Sequence, residues 1–195
     1  SDVAITISDG NSTAFNATDL STIGSSTTGT VTVTNAIAIT GSTSQVTAAL
    51  VTSGSKVDVT DAAVTINDAD GTALNAEDLS AIGSTTTGTV TVTEAVAISG
   101  TQAQLTAALV TSGSKVDVTD ATVTLDNGEN LTIAQFDDIN SATSGTITYT
   151  ISDSSTNINT ANANASKFNN ATKLTVTPNA GNAANTLDLD NATKT

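Results

Sequence analysis

The chain has 195 residues, enough to bury a sizeable core. It carries a formal charge of −14, with five Lys and no Arg. That balance excludes the basic footprint that nucleic acids and anionic membranes require. It has no Cys, Met, Trp or His, and only three Phe and one Tyr, which rules out a disulfide framework, thiol or imidazole catalysis and an aromatic core. The apolar content is mostly Ala, Val, Ile and Leu, and roughly a third of the chain is Ser or Thr, a composition suited to pleated strands. No apolar run approaches the ~18 residues of a membrane span, no signal peptide opens the chain, and its abrupt ends lead us to expect a piece of something longer.

In chain order, one long block occurs twice: Ala4–Ala62 aligns with Ala63–Ala121 without a gap, and 43 of the 59 positions are identical. A looser third copy starts at Thr122. Fixed-period similarity of this kind predicts stacked units sharing one core. Within the first copy, Asn16 and Asp19 stand three apart, as in the Asn/Asp variant of a capping box, and Leu20 and Ile23 follow at helical spacing. Gly24 falls where a C-cap glycine is expected. Val31 and Val33 then alternate with Thr30, Thr32 and Thr34, a strand with one apolar face, and Ile37/Ile39 read as a second strand. Ser42 and Gln45 open another capped helix with Val46 and Leu50 inward. Gly54 sits at its end, and Val57/Val59 begin the next strand pair.

The second copy repeats these signals at Asn75/Asp78, Leu79/Ile82, Gly83, Val90/Val92, Val96/Ile98, Thr101/Gln104, Leu105/Leu109, Gly113 and Val116/Val118, with Val64/Ile66 and Val123/Leu125 as further second strands. The third copy offers Thr132/Gln135, Phe136/Ile139 and Ile147/Tyr149. From Ser152 the chain turns Asn-rich. Phe168 and Leu174/Val176 still resemble a rung, and Leu187/Leu189 beyond Pro178 read as one last strand.

First strands begin at positions 31, 57, 90, 116, 147 and 174, in successive steps of 26, 33, 26, 31 and 27. We therefore expect a β-rich solenoid with rungs of about 30 residues, each with two short strands and a short helix, and parallel ladders along a rod. Residues 1–151 form the tandem repeats (4–62, 63–121 and 122–151), and 152–195 form a divergent terminal rung or cap on the same body. Tandem sandwich domains would need about seven strands in about 100 residues and no regular helices.

Catalysis has little to work with. Asp58 and Asp61 recur as Asp117 and Asp120, and Asp19 recurs as Asp78, so these carboxylates belong to the repeated scaffold; we expect no enzyme, no catalytic residue and no cofactor. Calcium is the one metal with a candidate. Asn67-Asp68-Ala69-Asp70-Gly71 has alternating oxygen donors and a glycine, with Glu77 or Asp78 as a later ligand, but Ile66 holds the first ligand position, and an Asp/Gly turn before a helix cap explains the stretch as well. Outward Thr rows raise ice binding, with Thr32, Thr91 and Thr148 in line. If rungs stack in chain order, Asp58 and Asp117 interrupt that row. The six Asn-x-Ser/Thr sequons match what composition alone produces.

The phrases LNAEDLSAIGSTTTGTVTVT, AVAISGTQAQLTAALV and GSKVDVTDATVTL resemble repeat segments of very large secreted bacterial surface proteins, in style those of cyanobacteria and other marine bacteria. The resemblance covers about residues 1–150 and implies an extracellular or cell-surface place and a role as adhesin stalk or surface layer. We expect a structural repeat acting as spacer or adhesive surface, with neighbouring repeats and surface glycans as partners, and with neither nucleic acid nor membrane insertion. A self-assembling extracellular filament subunit is the alternative; an ice- or calcium-binding β-solenoid is a further one.

Overall fold

The computed structural model describes residues 2–162 and 165–177. Pro178 and the strand expected at Leu187/Leu189 lie outside the described residues.

The chain alternates short strands with short helices. The first copy gives β1 (Ile5–Ile7), β2 (Ala14–Asn16), α1 (Ala17–Ser25), β3 (Val31–Val33), β4 (Ala38–Gly41), α2 (Thr43–Val46) and β5 (Val57–Val59). The second gives β6 (Ala63–Ile66), β7 (Ala73–Asn75), α3 (Ala76–Ser84), β8 (Val90–Val92), β9 (Ala97–Gly100), α4 (Gln102–Leu105) and β10 (Val116–Val118). Then come β11 (Thr122–Leu125), α5 (Ile133–Ala142), β12 (Ile147–Ser154), α6 (Ser155–Asn162) and β13 (Ala171–Thr177). α2 and α4 each run on into one π-helical turn, Thr47–Val51 and Thr106–Val110.

Among the described residues all strand pairs are parallel, and they form three sheets: β1-β3-β5, β10-β8-β6-β4-β2 and β13-β12-β11-β9-β7. Repeated β-α units at regular spacing are therefore present. The order of the ladders differs from the expectation. β5 does not pair with β8, nor β10 with β12, so positions 31, 57, 90, 116 and 147 do not form one continuous row. The reason lies in β6. Ile5 pairs with Val31 and Val31 with Val57, two turns of equal length. A short further step along the chain reaches Val64, the copy of Ile5. β6 then has two partners: it closes the ladder of β2 and β4 (Ile39↔Val64) and opens that of β8 and β10 (Val64↔Val90). Each copy thus makes two turns and steps over by one sheet.

Two three-residue strands, β2 and β7, sit where the sequence shows only a helix cap. Their last residues, Asn16 and Asn75, are also the N-caps of α1 and α3; each side chain accepts from the amide two residues on, at Thr18 and Glu77 (2.9 Å both). The full reciprocal capping box forms at Ser42/Gln45, Thr101/Gln104 and Thr132/Gln135.

One contiguous core runs through the body. Val31, Ile37, Ile39, Val46, Ile66, Leu79, Ile82, Val90, Val96, Leu105, Leu131, Ile139 and Ile151 are fully buried. Parallel register sets like against like, so Val meets Val across Val31↔Val57, Val90↔Val116 and Val92↔Val118, and β-branched side chains interlock row by row without aromatic anchors. The helices form their own row, with α3 against both π turns and α5 against the second. Thr47 Oγ1 in the first π turn has no partner among the described residues. Its copy, Thr106, receives a hydrogen bond from Gln102 (2.9 Å), where the first copy has Thr43.

The glycines expected as C-caps do something else. Gly24 and Gly83 lie within the last turns of α1 and α3, whose C-caps are Ser26 and Thr85. A Cβ on Gly83 would stand 1.7 Å from the Ser114 carbonyl oxygen, and one on Gly24 would stand 1.6 Å from that of Ser55. These positions are glycine because the next loop's backbone crosses there. Near Gly54 and Gly113 the left-handed residues are Lys56 (φ 57°) and Lys115 (φ 56°) instead.

Gly83→Ala is expected to lower unfolding stability by about 3 kcal/mol, the upper end for overpacking, because the obstacle is backbone. Gly54→Ala, with nothing within 4 Å of the added methyl, should stay within about 0.5 kcal/mol. Urea denaturation of both variants checks the contrast.

Candidate functional site

The loops that join one turn to the next carry a repeated set of polar contacts. Thr86, buried, donates from its hydroxyl to the Ala62 carbonyl (2.6 Å) and accepts from the Gly88 amide (3.0 Å). The same clip joins Thr143 to Ala121 and Gly145, and Thr27 to Val3 and Gly29. Each ties the residue just before a copy to the loop after that copy's first long helix. A bonded hydroxyl satisfies a carbonyl that burial would otherwise strand.

The expected calcium loop is used in this way as well. Asp68 Oδ2 accepts from both the amide and the hydroxyl of Thr43 (2.6 Å each). Thr43 is the first residue of α2, so the carboxylate caps a helix N-terminus in the preceding turn, where the dipole favours negative charge. Asp70 Oδ1 accepts from the Ala95 amide (3.1 Å), and Gly71 takes φ +72° while its amide bonds to the Ala95 carbonyl. Asp68 and Asp70 thus fasten neighbouring loops rather than converging on one point. Glu77 instead accepts from Gln104 (2.9 Å). Among the described residues, no group of three or more His, Cys, Asp or Glu could hold a metal ion.

The outward rows also differ from the expectation. Thr32 lies between Thr6 and Asp58. On the middle sheet the row reads Asn16, Thr40, Thr65, Thr91, Asp117. On the third, Asn75 and Ser99 precede Thr124 and Thr148. Asp58 and Asp117 end their rows on the outermost strands β5 and β10 and do not interrupt them. Beside β10, an open hollow of about 670 Å³ is lined by Asp117, Thr119, Asn140, Ser141 and Ser144 among others.

The third copy concentrates the aromatic side chains. Phe136 on α5 stacks on Tyr149 of β12 (centroids 4.5 Å apart). The Tyr149 hydroxyl donates to the Lys167 carbonyl, and the Lys167 ammonium grips both oxygens of Asp137 (2.7 Å each). Burial, with the nearby Asp137 charge, pushes the phenol up to about 12. Asp153 repeats the role of Asp68. It accepts from the amide of Ile133, the first residue of α5 (2.9 Å). Burial pushes its carboxyl up, but hydrogen bonds from Ile133, Asn157 and Ser154 outweigh that and hold it below the usual range. Nothing local in the sequence signals this pairing, because its partners lie 20 residues apart.

Comparisons with protein-family models, with curated proteins and with solved structures each return no match. Among the described residues no helix is long and apolar enough to cross a membrane.

Asp68→Ala removes two hydrogen bonds to a helix start and should cost about 1–2 kcal/mol. Thermal melts in calcium and in chelator should show the same loss, since the carboxylate is spent on Thr43. The pH dependence has two arms. Tyr149 is raised, so its contribution is whole below the ordinary value of 10.0 and is lost as pH climbs through about 12. Asp153 is lowered, so its contribution is present above the ordinary 3.8 and is lost as pH falls through its folded value. Phenolate absorbance reports the alkaline arm cleanly, because the chain has one Tyr and no Trp. In the folded protein it should rise well above pH 10, and Tyr149→Phe should flatten the alkaline fall in stability.

Proposed function

We propose that this chain is a structural spacer module of an extracellular or cell-surface protein, a stepped solenoid that adds length and displays an acidic, hydroxyl-rich surface without catalysing a reaction. The observation that carries this reading is the shared strand β6. One copy passes into the next through main-chain hydrogen bonds on both edges of one strand, with no linker between them. A junction of this kind has no hinge, and further copies can be added in the same way. Charge supports the reading: −14 spread over a Thr- and Ser-rich surface keeps such a body hydrated and self-repelling. Its partners are neighbouring repeats of the same kind.

The test is to insert one more copy of residues 63–121 and compare both proteins by small-angle scattering and calorimetry. Two added strand spacings along the ladder should lengthen the particle by about 10 Å, and the melting temperature should rise with one cooperative transition. An unchanged maximum dimension, or a second independent transition, would count against a continuous body and favour discrete domains.

A further inference from the structure

β6 is the copy of β1, and the two strands are treated differently. In β6, Val64 and Ile66 bond to the β8 side, as the bonds Val64 N to Thr89 O and Thr93 N to Ile66 O show. The alternate residues face β4, with Ala63 N on Ile37 O and Asn67 N on Gly41 O. In β1 the first set is satisfied in the same way, by Ile5 N on Thr30 O and Thr34 N on Ile7 O. The second set, Ala4, Thr6 and Ser8, points to an edge with no strand among the described residues.

Burial gives a second, independent sign. Val3 is 55% exposed, the most exposed large apolar residue described, while its counterparts Ala62 and Ala121 are each 1% exposed. Ile5 and Phe15 are only partly buried, while Val64 and Val123 are each 1% exposed, Leu74 is 6% and Leu131 is 0%. In later copies, then, the preceding copy covers this surface. At β1 nothing among the described residues does.

At the other end, β13 is the outermost strand of its sheet, paired with β12 alone among the described residues. Its Leu174 packs on the core, and the pattern Leu174-Thr-Val176 matches Ile5-Thr-Ile7. The chain progresses in the same direction through every sheet, so β13 of one molecule meets β1 of another parallel and in the right sense.

We propose that β1 and the apolar patch of Val3, Ile5 and Phe15 are a docking edge for a second copy of this chain, which adds its β13 in the place that β4 takes beside β6. Thr175 then lies against Thr6. The contact joins head to tail and does not close on itself, so it propagates into filaments. This inference rests on the spacer reading and deepens it by naming the partner.

The test is sedimentation velocity and electron microscopy of the whole chain from micromolar to millimolar concentration, beside Thr6→Pro and Val3→Lys. Proline at position 6 removes an amide that faces the open edge, so the variant should fold normally by circular dichroism and melting temperature. Val3→Lys puts a charge on an exposed site. Wild type should assemble with rising concentration, and each variant should need at least about tenfold more protein to do so. The chain lacks Cys, so Thr6→Cys and Thr175→Cys proteins, mixed and oxidised, should yield a mixed dimer. A wild type that stays monomeric, assembly untouched by both variants, or no mixed dimer in assembled samples overturns the docking. A monomer that nevertheless lengthens with each inserted copy would leave the spacer reading standing and remove only this contact.

Discussion

The structure depends on β6 being hydrogen-bonded along both edges to strands from different copies. A parallel strand sends alternate residues to opposite neighbours, so Ala63, Thr65 and Asn67 serve one copy while Val64 and Ile66 serve the next. The two sets cannot be exchanged, because a slip of one residue would turn Val64 and Ile66 outward and Thr65 into the core. This constraint fixes where the sheet must step and which faces the following helices cover. The inward residues of β6, Val64 and Ile66, meet Ile39 and Gly41 on one side and Val90 and Val92 on the other.

The core is stabilised in an unusual way for its composition. Fully burying a Val, Leu or Ile contributes about 1.5–3 kcal/mol, and no aromatic residue in the first two copies adds more than that at one point: Phe15 is only partly buried. Stability is spread over many similar rows, which suits a body that extends by repetition. Where the repeat becomes irregular the strategy changes. The third copy has one long strand, β12, that first lies beside β11 and then beside β13 and Leu131. There the stacked pair Phe136 and Tyr149, held by Lys167 and Asp137, replaces the missing regularity.

What could be read from the sequence was local. Helix N-caps and Val/Thr alternation are set by residues within a few positions of one another, and they appear where the spacing places them. Pairing across turns was not legible in the same way. The unequal steps between first strands did carry the signal. The step from Val31 to Val57 is one turn, whereas the step from Val57 to Val90 first crosses to Val64 and then makes a turn of the same length. A single average rung length hides that difference. β2 and β7 were missed because Asn16 and Asn75 are strand ends and helix caps at once. Gly83 looks the same in sequence whether it frees a backbone angle or makes room for the Ser114 carbonyl. Asp68 and Asp70 look like metal ligands until Thr43 and Ala95, each 25 residues away, are brought beside them.

The edges give the body its direction. Sheets left open invite further strands, and this chain treats its open edges unequally. β5 and β10, where ladders stop so that the chain can step, are three residues long and carry an exposed Asp at the centre, Asp58 or Asp117. Each is preceded by a left-handed Lys, Lys56 or Lys115. A further strand laid there would have to desolvate that carboxylate against its own side chains, at a cost that short pairing does not offset. β1 has Thr6 at the corresponding centre and the exposed Val3 beside it. The same frame of alternating β-branched residues thus holds Asp at the edges where ladders stop and Thr at β1, the edge to which the docking is assigned.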